Sequence, residues 1–527
     1  MSQKRTIARN VFWNWLGTLC DAGVAFTVAP FLVNHLGAST YGIWILIGSM
    51  SGYFGLLDLG VRSSVGRYIA FYYGEENHES VNDIFSTAFA ATCLLGLVVL
   101  AAMPLVTTIF FRAFHMSPDI MQSARIALYV IILNLALTFP LSLFDGTLWA
   151  HQRFDLLNMV DIPASLARAV LTFWLVLHGY GLVGLATMTL TIATLCGLTK
   201  AVLSFRVNRR LRLAPRHVTR EAGRQLFGYS AGMFAITVSR MTRLQFTPLL
   251  IGWLLSPVAV TMYSIPKRLL DYTEKLFAAA TGVLTPLSAS LQAQGNDDGQ
   301  QEIILRGGRV TITLAALFLA FYLAMGYPLI TLWMGPAWGA AYVLLAVLAL
   351  GEFVPLSQMT TWNMLLATAR HKTQALFQVT DVVIAGCLAF ALSGSGVSGL
   401  CIAIAASGTI FRGLAVLVHG CRVTNVPLGR YAAQAITPGL LAPALPISLL
   451  VIATAVAPPK HWPDFLVYSA VYGLLAVIAT LASAGVRPAH VLPAFRSASG
   501  SRAAPATAET AMAVSQSTTS GSMQNLT

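Results

Sequence analysis

The chain has 527 residues, of which 56% are hydrophobic and only 10% are charged, and its formal net charge is +13. Soluble domains carry about 25% charged residues, so this composition excludes a soluble protein and predicts an integral membrane protein. The excess of Lys and Arg does not indicate nucleic-acid binding, because multi-pass membrane proteins collect these residues in their cytoplasmic loops.

Apolar segments long enough to cross a bilayer recur along the whole chain. A helix needs about 20 apolar residues to span the hydrocarbon core, and this criterion predicts about fourteen transmembrane helices. The basic N-terminus precedes an apolar run that is too long for a signal peptide, so we expect a retained first span. The predicted spans cover residues 11–33, 41–70, 84–110, 122–149, 158–177, 182–205, 226–253, 258–290, 308–333, 341–368, 375–393, 398–419, 432–456 and 464–485.

Basic residues fall in alternate loops between these spans. The longest basic loop, "RVNRRLRLAPRHVTREAGR" at 206–224, follows the sixth span and contains seven arginines. The intervening loops are short and have few basic residues. Under the positive-inside rule this asymmetry predicts an even number of spans, with both termini in the cytoplasm.

The chain contains an internal repeat. Tyr41 and Tyr263, near the starts of the second and eighth spans, are 222 residues apart, and Asp161 and Asp381 are separated by 220. The predicted fold is all-α, with two pseudo-symmetric six-helix lobes around a central cavity plus two C-terminal helices. The predicted boundaries are 1–215 for the N-lobe, 216–425 for the C-lobe, 426–487 for the last two helices and 488–527 for a disordered cytoplasmic tail.

Two glycine runs, "HGYGLVGLA" at 178–186 and "SGSGVSGLCIA" at 393–403, have the spacing of a dinucleotide-binding loop. Such a loop must follow a strand inside a βαβ unit, and no strand pattern is present. Both runs fall between the fifth and sixth spans of a lobe, so we interpret them as tight helical turns. The six cysteines have no metal-ligand spacing, and we expect neither a metal nor a cofactor.

Charged side chains inside spans usually face a wet cavity, because each costs about 2.5 kcal/mol or more at the bilayer centre. The seventh and eighth spans hold the densest group, in which the basic side chains outnumber the acidic ones and would attract an anion such as a diphosphate. Pairing within the helix, for example between Lys267 and Asp271, is the structural alternative. The candidate substrate-binding residues are Arg240, Arg243, Lys267, Arg268, Asp271 and Lys275.

A second set of intramembrane charges consists of isolated acidic residues. They are candidates for coupling transport to a proton or sodium gradient, although Asp58 could instead pair with Arg62 four residues later. We interpret Glu352, Asp381 and Arg412 as single intramembrane charges and weaker candidates, because a buried charge with a partner elsewhere could be purely structural. The ion-coupling candidates are Asp21, Asp58, Asp145, Glu352 and Asp381.

Residues 10–77 contain "LGASTYGIW" at 36–44, "DLG" at 58–60 and "RYIA" at 67–70. In these motifs, and in the "GYGLVGLA" turn, the chain resembles the polysaccharide and O-antigen flippases of the multidrug/oligosaccharidyl-lipid/polysaccharide exporter superfamily. The resemblance implies a V-shaped bundle of two lobes with alternating access. It also implies that the cargo is an undecaprenyl-diphosphate-linked oligosaccharide, moved from the cytoplasmic to the periplasmic leaflet.

We therefore expect a transporter for O-antigen, capsule or exopolysaccharide synthesis rather than an enzyme. The expected partners are the lipid-linked oligosaccharide, membrane lipid and the polysaccharide polymerase and export machinery, with no nucleic acid. One alternative is a drug or cation antiporter of the same superfamily, which would favour an acidic cavity. The other is a multi-pass glycan polymerase or ligase, which would usually carry a large exterior loop with catalytic residues.

Overall fold

The computed structural model describes residues 23–24, 26–55, 61–114, 116–226, 245–282, 284–367 and 371–485. Within these ranges the chain is almost entirely helical and contains no strand. The helices are α1 (Phe26–Leu36), α2 (Ala38–Phe54), α3 (Val61–Gly74), α4 (His78–Ala101), α5 (Met103–Ala113), α6 (Pro118–Ala150), α7 (Phe154–Leu177), α8 (Gly181–Val207), α9 (Pro257–Thr281), α10 (Leu284–Ala293), α11 (Asp297–Met334), α12 (Ala341–Ser357), α13 (Met359–Ala367), α14 (His371–Ala391), α15 (Ser393–Val423), α16 (Leu428–Val456) and α17 (Trp462–Ser483).

The protein is a multi-pass membrane protein. Among the described residues, nine helices are long and apolar enough to cross a bilayer, and the number rises to eleven if each of two bent helix pairs forms one span. Much of the predicted first and seventh spans lies outside the described residues, so fourteen spans stays a prediction. The all-α fold class is confirmed.

Local sequence signals explain where individual helices begin. At the start of α4 the side chain of Asn77 accepts a hydrogen bond from the amide of Ser80 (3.1 Å), which satisfies one of the free amides of the first turn. At α9 the side chain of Ser256 accepts from the amide of Ala259 (3.2 Å) and Pro257 occupies the first turn. Proline is favoured there because its missing N–H would have no partner in any case.

The two glycine runs form turns between helices, as the sequence predicts. Gly181 at the start of α8 has φ of +52°, and Gly396 near the start of α15 has φ of +66°. Residues with a side chain rarely adopt this backbone conformation, whereas glycine does so without strain. The runs therefore make tight reversals, and no strand in the described part of the chain lies beside them to form a nucleotide site.

The hydrophobic core joins the two halves of the chain at one end of the bundle and divides at the other. At the joined end, one large cluster includes Ile43 of α2 and Val260 of α9, both fully buried. At the opposite, divided end, one core surrounds Phe85 of α4 and a separate core surrounds Ile304 of α11. Apolar packing therefore holds the halves together at the joined end, whereas each half packs on its own core at the divided end.

Candidate functional site

Helix α9 carries the charged side chains predicted to line a cavity. Lys267 donates a hydrogen bond to the carboxylate of Asp271, one turn later on the same helix. The pairing of these two residues, which we considered as the structural alternative, is thus confirmed. Lys275 is exposed, and its Nζ lies 5.6 Å from the centre of the Tyr272 ring, within the range of a cation–π contact.

Arg268 of α9 reaches across to the first half of the chain. Its guanidinium donates a hydrogen bond of 2.8 Å to the hydroxyl of Tyr41 on α2, a residue that is almost fully buried. On the preceding turns of α9, Thr261 donates from Oγ1 to the carbonyl oxygen of Ala38 (2.6 Å). A basic candidate residue is therefore held at the junction between the halves.

Close backbone contact makes this junction possible. A Cβ atom at Gly42 of α2 would overlap the carbonyl group of Pro257 at the start of α9. Glycine lets two helices approach closely because it has no side chain to separate them. The α2–α9 crossing is thus set by the absence of a side chain at position 42.

A second set of contacts ties the halves together at the joined end. Asn34 donates from Nδ2 to the carbonyl of Met334 (3.1 Å) and accepts from Nε1 of Trp338 (3.3 Å). The Phe26 ring stacks on Trp333, with ring centres 4.7 Å apart, and Trp333 Nε1 donates to the Phe26 carbonyl (2.8 Å). These polar and aromatic contacts add directional bonds to the shared apolar core.

In the first half, three helices meet at a buried lysine. Lys200 of α8 places Nζ 2.9 Å from Oδ1 of Asp145 on α6 and 2.8 Å from Oδ1 of Asp161 on α7. Lys200 is buried, whereas the side chain of Asp161 is 52% exposed. The ion-coupling candidate Asp145 therefore lies in a cluster of two carboxylates and one ammonium group, which we call the lysine cluster.

In the second half, three helices meet at a buried arginine. Arg412 of α15 forms two parallel hydrogen bonds of 2.9 and 2.8 Å with Glu352 of α12, and its Nε donates to Oδ2 of Asp381 on α14 (2.9 Å). The hydroxyl of Ser407 donates to the carboxylate of Asp381 (2.7 Å). The description of Glu352, Asp381 and Arg412 as single charges was wrong, because the fold unites them in one arginine cluster. The alternative that each of these charges has a partner elsewhere is confirmed.

The two clusters occupy equivalent positions in the repeat. In each half, the fourth and fifth predicted spans supply a carboxylate and the sixth supplies a cation: Asp145, Asp161 and Lys200 correspond to Glu352, Asp381 and Arg412. Each cluster has two acidic groups and one basic group. Each therefore carries one negative charge in excess when all its groups are ionised.

Sequence reasoning did not single out Lys200 or Asp161 as site residues. The signal was available, because Lys200 stands in the apolar run "LCGLTKAVLSF" and a charge there needs a partner. The offset between Asp161 and Asp381 was recognised, but only as a mark of the repeat. The candidates Arg240, Arg243, Asp21 and Asp58 lie outside the described residues.

No group of three His, Cys, Asp or Glu side chains in the described part of the chain is arranged to hold a metal ion. The clusters instead consist of carboxylates bound by protein cations, and the α2–α9 junction presents a guanidinium. The carboxylates can bind cations and the guanidinium can bind anions, in both cases through charge and hydrogen bonding.

Comparison with known proteins places this arrangement in a family. Residues 7–292 match the family described as polysaccharide biosynthesis protein. The chain is 22% identical over 394 residues to the membrane protein EpsK of Bacillus subtilis (strain 168). The aligned region covers 73% of this chain and 77% of EpsK. It is 19% identical over 268 residues to a Shigella flexneri protein provisionally named O-antigen transporter. This aligned region covers 50% of this chain and 62% of the Shigella protein.

Solved structures share the fold. The lipid II flippase MurJ in an inward closed conformation superposes with a TM-score of 0.69 at 15% identity, covering 89% of this chain and 98% of that one. An inward-facing multidrug resistance transporter of the MATE family, from the MOP superfamily, gives a TM-score of 0.66 at 14% identity, covering 78% and 94%. At such identities the likeness establishes the architecture and leaves the cargo open.

Proposed function

The chain belongs to the polysaccharide biosynthesis protein family and is a membrane transporter of the MOP superfamily, and from this premise we propose that it flips an undecaprenyl-diphosphate-linked oligosaccharide from the cytoplasmic to the periplasmic leaflet. The observation that carries the proposal is the family match over more than half of the chain. The product would supply O-antigen, capsule or exopolysaccharide synthesis. A polymerase and export machinery would then receive the flipped glycan.

The proposed mechanism is alternating access between two lobes, 1–215 and 216–425, in a bacterial inner membrane with both termini in the cytoplasm. The basic loop 206–224 lies at the divided end, and the positive-inside rule assigns that end to the cytoplasm. The structure would then be closed towards the periplasm by the α2–α9 junction. Transport would require the junction to open and the divided end to close.

The charged groups have proposed roles in this cycle. A diphosphate is anionic, and arginine binds such groups through paired hydrogen bonds. We assign diphosphate contacts to Arg268 and Lys267, with Arg240 and Arg243 of the preceding span, while Asp271 and Lys275 tune the local charge. The excess negative charge of the lysine and arginine clusters supports the proposal that Asp145, Glu352 and Asp381 take part in ion coupling. Asp21 and Asp58 remain candidates for the same role.

Reconstitution tests the proposed function. Full-length protein in proteoliposomes should move a sugar-labelled undecaprenyl-diphosphate oligosaccharide to the opposite leaflet, measured by loss of access to a membrane-impermeant quencher. Replacing Arg240, Arg243, Lys267 and Arg268 together by Gln should slow this movement by about tenfold or more, because charge-assisted hydrogen bonds to the diphosphate are lost. Lys460→Gln, an exposed charge in another part of the chain, is the control. Wild-type protein that leaves the labelled lipid in its original leaflet contradicts the flippase proposal.

A further inference from the structure

A pocket of about 700 Å³ lies at the divided end of the first half, between the loop 206–224 and the start of α4. Ligand pockets measure about 300–1,000 Å³, so this one can hold a group larger than a single ion. We call it the basic pocket, because its lining includes four arginines of the loop: Arg209, Arg210, Arg212 and Arg216.

The guanidinium groups of the basic pocket can receive a ligand. All four arginines are exposed, and none of their side chains makes a hydrogen bond or ion pair within the part of the chain that the structure describes. Two carboxylates, Glu79 and Asp83, also line the pocket, and Asp83 is already held by His217, with Nδ1 and Oδ1 2.6 Å apart. Among the described lining residues the guanidiniums outnumber the carboxylates, so the pocket favours an anion.

The backbone that carries these arginines is fixed before any ligand binds. Ser86 of α4 donates from Oγ to the carbonyl oxygen of Arg212 (3.3 Å), and Thr87 donates from Oγ1 to the carbonyl oxygen of His217 (3.3 Å). Leu211 is buried in the apolar core of this end. A site that is already ordered loses less conformational entropy on binding, so the loop is suited to hold a ligand in one position.

Apolar side chains on the same loop indicate the source of the anion. Leu213 is 43% exposed and Val218 is 48% exposed, and each lies within two residues of a lining arginine. Helix α8 ends at Val207, so the loop begins where this predicted span leaves the bilayer. Exposed apolar and basic side chains together suit the boundary between acyl chains and anionic headgroups. A soluble anion would leave the apolar side chains in water.

We propose that the basic pocket binds the phosphate headgroup of an anionic phospholipid in the cytoplasmic leaflet. Arginine side chains donate paired hydrogen bonds to the phosphate oxygens, while Leu213 and Val218 contact the adjoining acyl chains. The bound lipid fastens the loop and the start of α4 to the membrane surface. The leaflet follows from the proposed orientation of the chain, and the site is separate from the diphosphate contacts assigned to α9.

Lipid binding to the full-length protein tests the site. Native mass spectrometry of the detergent-solubilised protein is recorded while phosphatidylglycerol, phosphatidylcholine or inorganic pyrophosphate is added. The wild type should bind phosphatidylglycerol about tenfold more tightly than phosphatidylcholine, which has no net charge. Arg212→Gln with Arg216→Gln should weaken phosphatidylglycerol binding by about tenfold or more, because charge-assisted hydrogen bonds are lost. Arg212→Lys with Arg216→Lys keeps the charge but not the paired donors, and should weaken it by about threefold.

Arg220→Gln with Arg224→Gln is the matched control. Both arginines are exposed on the same loop, neither lines the pocket, and the pair removes the same charge. The control should change the affinity by less than about twofold, because exposed charges away from the ligand are screened.

Three results overturn the site. The first is equal weakening by the two Gln pairs, which would show only a general attraction between the loop and anionic lipid. The second is equal affinity of the wild type for the two phospholipids, or binding that the pocket variants leave unchanged. The third is pyrophosphate binding as tight as that of phosphatidylglycerol and lost in the same Gln pair, which would make the ligand a soluble anion. The flippase proposal is judged separately by lipid movement in proteoliposomes.

Discussion

Arg412 shows how strongly a single residue depends on its partners. Its guanidinium is shared between Glu352 and Asp381, which are also largely buried. Removing one member of a buried ion pair costs about 3–5 kcal/mol, since the remaining charge is left without compensation. Here two carboxylates would be left in that state.

We expect Arg412→Met to lower the free energy of unfolding by about 3–5 kcal/mol. The loss should appear as a lower melting temperature, measured by fluorescence-detected size-exclusion chromatography after heating. Adding Glu352→Gln and Asp381→Asn to the same chain should restore much of the loss, because no uncompensated charge remains. Lys200→Met should cost less, as the side chain of its partner Asp161 is 52% exposed and keeps contact with water or headgroups. Equal losses in the two single variants would show that exposure does not control the cost.

A residue-scale prediction also concerns the glycine turn at the start of α15. Gly396→Ala should destabilise the protein by about 1–2 kcal/mol, because its φ of +66° is unfavourable for a residue with a Cβ atom. Gly394→Ala is a matched control two residues away. A Cβ at either position would meet open space, but only Gly396 has a positive φ. Thermal melts of the two variants should separate backbone strain from crowding, and identical melts would contradict the strain argument.

At the scale of elements, the basic loop after α8 is folded onto the start of α4. The side chain of Asn82 accepts a hydrogen bond from the amide of Arg212 (2.7 Å), and Thr87 accepts from the amide of Thr219 (3.0 Å). His217 and Asp83 add a contact of 2.6 Å between Nδ1 and Oδ1. The loop that the sequence marks only as basic is therefore a fixed part of the divided end.

Asn82→Ala should loosen this loop without unfolding the bundle. Loss of the buried acceptor costs about 1–3 kcal/mol locally, and cleavage of native proteins follows the population of open forms. Trypsin should then cut at Arg209–Arg216 about tenfold faster than in the wild type, as followed by mass spectrometry. The exposed neighbour Glu79→Ala is the control. Unchanged cleavage of the Asn82 variant would mean that this hydrogen bond does not hold the loop.

Two irregular helices in the second half are the other feature at the scale of elements. The bend between α12 and α13 and the π-helical turn Thr409–Leu414 in α15 both fall beside a cavity lined by Glu352 and Arg412. Their coincidence ties the arginine cluster to this cavity. In the first half, the corresponding helices α6 and α8 are α-helical from end to end. The repeat therefore preserves the charges while the helix geometry around them differs.

At the scale of the whole molecule, the asymmetry between the joined and divided ends is the main feature. A shared apolar core, the Arg268–Tyr41 hydrogen bond and the contacts of Asn34 and Trp333 all lie on the same side of the bundle. This arrangement is one state of a two-state transporter under the proposed alternating-access mechanism. The joined end must separate if cargo is to leave through it.

Cross-linking tests that requirement. In a chain whose six native cysteines are replaced by serine, Ala38→Cys and Thr261→Cys should join through a short cleavable thiol cross-linker, because these positions are hydrogen-bonded across the junction (2.6 Å). We expect the cross-linked protein to lose transport and to regain it on reduction. A pair within one helix, Thr187→Cys with Thr191→Cys, controls for labelling. Transport that continues at the wild-type rate after cross-linking would show that this end does not open.

The sequence alone determined the class of the molecule. Composition, apolar run lengths and loop charges are sums over neighbouring residues, so they predict helices, membrane insertion and orientation without knowledge of contacts. The positions of the glycine turns at Gly181 and Gly396 were also predictable, because a tight reversal is a local property of the backbone. The repeat followed from residue offsets alone.

Only the tertiary structure decided which charges meet. Lys200 and Asp145 are 55 residues apart and lie on different helices, and Arg412 joins two helices that precede its own. Such pairings depend on how helices rotate and cross, which is set by packing at many distant positions, including the glycine at 42. The closed junction, the divided cores and the cavity beside Arg412 arise in the same way, since each is a relation between segments rather than a property of any one of them.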